Sequence, residues 1–174
     1  MDINFEKLDY LKNGNPKQQQ AYRVLSQNKV LEQLNEFDPL LVGTIPINID
    51  IEESDLDIIC CCTNKTHFRQ HIINAFGGFP GFELWENTTV EPPAVVANFR
   101  INGFVLEVFG QNRPSRQQNA YRHMLVEHKI LLERGKDFRE SIIDLKRQGY
   151  KTEPAFALQL GLKGNPFEAL LELE

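Results

Sequence analysis

The chain reads as an α+β protein: a mixed β-sheet of about five strands flanked by helices, with a helical C-terminal portion. Three observations carry this. Strand-like apolar runs come as a pair and then a triplet rather than alternating with helices, which excludes a regular βαβ wind. Asn102-Gly103, between two such runs, is a two-residue hairpin signal. From Pro114 onward the apolar spacing is helical throughout.

The elements follow in order. Ala21, Val24, Leu25, Val30, Leu31 and Leu34 recur at helical spacing and predict a helix over 16–37, with Pro16 suited to its first turn. Residues 39–45 read as a strand ending at Gly43-Thr44. Residues 46–54 form a loop with the acids Asp50, Glu52 and Glu53, whose mobility would gate a substrate. Residues 55–62 are a second strand, antiparallel to the first. A helix over 64–76 stops at Gly77-Gly78. Strands follow at 82–89, 94–101 and 104–109, then helices at 115–134, 136–148, 153–162 and 166–173, punctuated by Gly135, Gly149 and Gly164. Residues 1–112 are the expected core and 113–174 a helical portion packed on it, or the two make one domain.

Of the 174 residues, 41% are hydrophobic, enough for a real core, and the net charge is −5. That balance weighs against a dedicated nucleic-acid binder. The opening segment, residues 1–6, is polar and mixed rather than leader-like, and no apolar stretch approaches spanning length. The expectation is a cytoplasmic protein that avoids membranes. The three cysteines are contiguous, Cys60-Cys61-Cys62, and read as small apolar residues at a strand end in a reducing compartment.

The chemistry concentrates in two segments. Asp55 and Asp57, one residue apart, share one face of a strand otherwise suited to burial. Their repulsion raises at least one pKa and asks for a counter-charge, and hard oxygen ligands suit magnesium or manganese. Glu107, in the middle of an apolar strand, is the third acid; its alternative is a salt bridge to Arg100 across the hairpin. In the metal reading, Asp55 and Asp57 hold an ion that grips phosphates, and Asp57 and Glu107 hold a second that acidifies an acceptor hydroxyl. Gly43 allows close backbone approach and Thr44 offers a hydroxyl, both to phosphate oxygens.

Gly43-Thr44, ten intervening residues and Asp55-Leu56-Asp57-Ile58, with a third acid on a later strand, resembles the signature of the DNA polymerase beta-type nucleotidyltransferase superfamily. Thr44 stands where serine is usual and keeps the hydroxyl. Glu107-Val108-Phe109-Gly110-Gln111, Ala120-Tyr121-Arg122-His123-Met124 and Glu153-Pro154-Ala155-Phe156-Ala157 extend the likeness over nearly the whole chain. Together they are similar to an uncharacterised family of small stand-alone bacterial alpha-beta fold nucleotidyltransferases. The resemblance implies a nucleotidyltransferase-like sheet and transfer of a nucleoside monophosphate from a nucleoside triphosphate to an acceptor hydroxyl. It names no acceptor; the acidic balance favours a small molecule or a protein over a long nucleic acid. The alternatives are a non-catalytic nucleotide- or partner-binding module and a metal-dependent nucleotide hydrolase.

Secondary candidates remain. Arg23 and Arg122 occupy matching places in a near-repeat, Gln18-Gln19-Gln20-Ala21-Tyr22-Arg23 against Gln117-Gln118-Asn119-Ala120-Tyr121-Arg122, and would frame the triphosphate if both helix starts meet one cleft. Arg113 and Arg116 lie close by. His123 is a candidate general base. His128 shares a helical stripe with Tyr121, Leu125 and Leu132 and reads as core-facing. His67 and His71, four apart, are a metal pair only if a third ligand exists, and otherwise surface histidines. Trp85 and Tyr22 suit either base stacking or the core.

Overall fold

The computed structural model of the chain describes residues 3–174; Met1 and Asp2, which begin the polar opening segment, lie outside the described residues. After a short 3-10 segment at Leu8–Asn13 come α1 (Pro16–Gln27), α2 (Val30–Gln33), β1 (Leu40–Val42), β2 (Leu56–Cys61) and α3 (Lys65–Phe76). Then follow β3 (Glu83–Asn87), β4 (Ala94–Ile101), β5 (Phe104–Gln111), α4 (Asn119–Arg147), α5 (Thr152–Leu160) and α6 (Pro166–Leu171). The strands form one five-stranded sheet in the order β1-β2-β5-β4-β3. The central pair, β2 and β5, is parallel; every other pairing is antiparallel, so the sheet is mixed as the sequence predicts.

Alternation along the strands builds two cores. Leu41, Leu56, Ile58, Cys60, Leu106 and Val108 point to the face covered by α1 and α3, around Val24, Leu25, Phe68 and Phe76. Leu40, Val42, Ile59 and the half-buried Phe109 point to the other face, where Tyr121, Met124, Ile130, Leu131, Ile142 and Phe156 of the C-terminal helices cover them. Asp57 and Glu107 belong by parity to this second face.

Three expectations need correction. The single helix over 16–37 is broken: the amide N–H of Asn28 donates to Val24 O, Lys29 takes a left-handed φ of 51°, and the chain restarts as α2 and a 3-10 turn at Asn35–Phe37. The stripe of Tyr121, Leu125, His128 and Leu132 is not the buried face of α4. Leu125 and Leu132 are exposed, His128 is half-buried with its ring edge-on to Phe5 at 4.9 Å, and Tyr121, Met124, Glu127 and Leu131 form the packed seam. The third is the 46–54 loop, which is pinned from both sides. Gln18 Nε2 donates to Ile45 O at 2.9 Å, Lys17 Nζ to Ile51 O at 2.5 Å, Arg139 to Asn48 O at 3.0 Å and Lys146 Nζ to Ile49 O at 2.8 Å. A loop tied through its carbonyls to α1 and α4 is a strap rather than a gate.

Gly135 does divide the long helix as expected: its φ of 78° and ψ of −162° put a kink inside α4. His67 and His71 turn out to share one carboxylate, Glu36, at 2.8 and 2.9 Å.

Gly110 sits where α3 crosses the sheet, and a Cβ there would run into the ring of Phe68, a fully buried side chain. Gly110→Ala is therefore expected to destabilise the protein by about 1–3 kcal/mol through overpacking. Urea unfolding checks this as a lower midpoint at unchanged slope.

Candidate active site

The parallel ladder sets Asp57 opposite Glu107, with Ile59 opposite Phe109 two positions on along the same face. Neither partner choice is local; the β2–β5 pairing alone brings together two acids fifty residues apart in sequence. On its other side Asp57 stands opposite Val42, the last residue of β1. Asp55 lies just before β2 and is half-buried. Glu107 faces Asn98 across β4, while Arg100 is in register with Val105. Among the described residues no ion pair joins Arg100 to Glu107, so the salt-bridge alternative is not realised.

Gly43 closes on this pair. Its φ is +85°, and a Cβ on it would collide with Asp57 Oδ2. Both facts demand glycine: the backbone is left-handed and the carboxylate occupies the space a side chain would need. Thr44 follows, its hydroxyl 3.3 Å from Ser54 Oγ, which in turn accepts from the Ile51 amide. Ser54 thus ties the turn to the segment that leads through Asp55 into β2.

These residues line a cavity of about 560 Å³. Gly43, Thr44, Asp57 and Glu107 form its sheet side; Gln118, Ala120, His123, Met124 and Glu127 of the α4 side and Glu153 of α5 face them. Gln118 fixes the start of α4 by donating from Nε2 to Cys60 O at 2.9 Å and Arg113 O at 3.0 Å.

Electrostatically the cavity is acidic. Burial first, then the charges of Asp55 and Glu107, push Asp57 up to about 8; Lys146 opposes this in part. Glu107 is also raised, by burial and then by Asp55. Glu127 is pushed up to about 8 by burial and by Glu153. Lys146, buried with Asp50, Glu127 and Asp57 around it, is lowered to about 8 by burial. Among the described residues, no three His, Cys, Asp or Glu side chains already converge as a group able to hold a metal. The backbone supplies adjacency of Asp57 and Glu107, and the carboxylates repel.

The structure brings Gly43, Thr44, Asp57, Glu107 and His123 to one cavity, with Asp55 close enough to raise both its acidic neighbours. Two arginines do not join them. Arg23 is exposed on α1, across the sheet from the cavity, so the two helix starts of the near-repeat do not frame one cleft. Arg122 is held by Glu174 through Nε at 2.9 Å and Nη2 at 2.5 Å, in a separate shallow depression. Arg113 lines both the cavity and that depression. His123 is buried with Nε2 donating to Phe167 O at 2.8 Å and Nδ1 3.4 Å from Glu153 Oε1. With its ring set between Phe167 O and Glu153, it ties α4 to α5 and α6, a structural placement rather than that of a free base. Trp85 lies on the edge strand β3 and Tyr22 beside Lys12 on α1, and neither lines the cavity.

Sequence reasoning missed Glu127 and Lys146. A signal existed: Glu127 is three residues after Met124 and four before Leu131, so it falls on the apolar seam. Lys146 similarly follows Ile142 by one turn. Among the described residues no helix is long and apolar enough to cross a membrane.

The family model described as Domain of unknown function (DUF4269) matches residues 23–173. No curated protein matches the chain in sequence. Among solved structures, the GLD-2/RNP-8 complex is similar at a TM-score of 0.57 and 14% identity, over 90% of this chain and 63% of that one. The Cid1 poly(U) polymerase with MgGTP bound gives 0.55 and 10%, over 80% and 46%. The polymerase core of TRAMP, an RNA surveillance complex, gives 0.51 and 13%, over 94% and 50%. The chain thus spans about half to three-fifths of the length of these structures. At such identities the likeness is one of fold, and the fold is nucleotidyltransferase-like.

The raised Asp57 has a measurable consequence. From about pH 4 to about pH 8 the folded protein keeps a proton there that the unfolded chain has released, so this group's contribution to stability falls as pH rises. Asp57→Asn removes the penalty. Above about pH 8 the variant is expected to melt higher than the parent, by about 2–4 °C for each kcal/mol of burial and repulsion penalty relieved, and to converge with it near pH 4. Melting temperature against pH for both proteins checks the sign.

Proposed function

We propose that this chain, which belongs to the DUF4269 family, transfers a nucleoside monophosphate from a nucleoside triphosphate to an acceptor hydroxyl and releases pyrophosphate. The observation that carries this reading is the closure of Gly43-Thr44 on Asp57, with Glu107 in register beside it, in a nucleotidyltransferase-like sheet. The donor set fits a hard divalent cation: Asp57 and Glu107 stand in register, each carboxyl raised by burial and by acidic neighbours, with Lys146 a partial offset at Asp57. Asp55, Asp57 and Glu107 would hold magnesium or manganese. When bound, such a cation neutralises triphosphate and carboxylates together and acidifies an acceptor hydroxyl.

The chain's own residues do the positioning. The Gly43 turn lets the triphosphate approach the backbone, and the Thr44 hydroxyl, oriented by Ser54, donates to a phosphate oxygen. Arg113 adds positive charge at the cavity wall. The acceptor oxygen then bonds to the α-phosphorus as the bond to the bridging oxygen breaks. Pyrophosphate leaves, and the hydroxyl proton passes to solvent. Residues 1–112 act as the nucleotide-handling core and 113–174 as the acceptor wall. Asp57, Glu91, Glu107, Glu127 and Glu153 outnumber Arg113 around the cavity, which favours a small-molecule or protein acceptor over the phosphates of a long nucleic acid.

The test is thermal unfolding with each nucleoside triphosphate, with and without magnesium. A ligand at about a hundred times its dissociation constant stabilises by roughly 2.7 kcal/mol, about 5–10 °C for a chain this size. The expected result is a magnesium-dependent rise for at least one triphosphate that Asp57→Asn abolishes, each protein being read against its own nucleotide-free value. A rise of equal size in the variant would move the site elsewhere.

A further inference from the structure

We propose that Glu127, with Glu153 beside it, is the acceptor subsite and takes the protonated amine of an amino alcohol; this rests on the nucleotidyltransferase reading above. Glu127 is only 4% exposed, yet it lines the same cavity as Asp57 and Glu107. No hydrogen bond or ion pair reaches its carboxyl among the described residues. Its carboxyl opens on the cavity from the helical wall with no protein donor beside it among those residues, a costly place for a charge without a counter-ion.

The neighbouring basic side chains are each tied to a backbone carbonyl. Lys146, which attracts Glu127, donates to Ile49 O at 2.8 Å. His123 is spent on Phe167 O and Glu153. Glu153 adds a like charge rather than a partner, and with burial it holds Glu127 at about 8. Such a group stays neutral in an empty cavity and ionises when a cation arrives. An alkylammonium supplies what is lacking: three donors and a charge on an apolar stem. Val42, Ile59, Phe109 and Met124 line the intervening wall and would take that stem. An amine seated at Glu127 leaves the hydroxyl at the other end of the acceptor free to reach toward Asp57 and Glu107.

Two probes of equal length separate the charge from the hydroxyl: aminopentanol, whose amine is protonated like that of lysine, and pentanediol. Their affinities are measured by calorimetry on the full chain with magnesium and a non-hydrolysable triphosphate analogue present. Aminopentanol is expected to bind at least about tenfold more tightly than pentanediol. Glu127→Gln, of the same shape, is expected to erase the preference, and Glu153→Gln to reduce it. Circular dichroism monitors folding of both; should Glu127→Gln not fold, loss of preference in Glu153→Gln decides. Equal binding of the two probes, no binding of either, or a preference kept in the folded variants would overturn the proposal. Nucleotide binding is read first on the parent. A failure there sinks the nucleotidyltransferase reading, whereas nucleotide binding without amine preference sinks the acceptor subsite alone.

Discussion

Two carboxyls held side by side on a buried parallel strand pair are the constraint around which this molecule is arranged. The β2–β5 register fixes Asp57 opposite Glu107, and hydrophobic packing on both faces keeps that register, since a one-residue slip would turn Ile58, Cys60 and Val108 out of one core and Ile59 and Phe109 out of the other. The acids therefore cannot separate along the ladder to relieve their repulsion. Burial first, and then the charges of neighbouring acids, holds both carboxyls above their ordinary range, and a cation is the simplest group that would offset both.

Much of the surrounding structure serves to keep this arrangement from relaxing. The Gly43 turn leaves Asp57 Oδ2 the space it occupies. Ser54 ties Thr44 to the approach of β2, and the strap from Ile45 to Glu52 is bound by Gln18 and Lys17 on one side and by Arg139, Lys146 and Arg147 on the other. Gln118 fastens the start of α4 to the end of β2 through Cys60 O. Surface pairs such as Arg147 with Glu52 add little energy each; their effect is to hold a loop in one place. A site that is electrostatically unfavourable by itself is thereby carried on a scaffold that is not, the usual relation between stability and function.

Much of this was legible in the sequence, for identifiable reasons. Strand pairs and the Asn102-Gly103 hairpin are local patterns, and β4 is found where the alternation predicts it. The Gly-Thr and Asp-x-Asp segments are short and chemically loud. What local pattern could not supply was the partner of each charge. Arg122 reads as a phosphate ligand until Glu174, half a hundred residues on, is seen to hold it. His123 reads as a base until Phe167 O and Glu153 claim its ring. The loop acids read as mobile until α1 and α4 close on the loop's carbonyls. Glu127 and Lys146 were hidden differently: each interrupts an apolar stripe, and only the packed seam shows that the interruption is buried rather than solvated. The break after Asn28 depends on a left-handed Lys29 that no propensity favours.

Whether the β2–β5 acids and the Gly43 turn together make one metal–nucleotide site is read from the position of the ion itself. Crystals grown with manganese and a non-hydrolysable triphosphate analogue would give anomalous density at the manganese position. A peak is expected among Asp55, Asp57 and Glu107, with the triphosphate against Gly43 and Thr44. Manganese and analogue bound at another place on the chain, or analogue in the cavity with no ion near these acids, would contradict it.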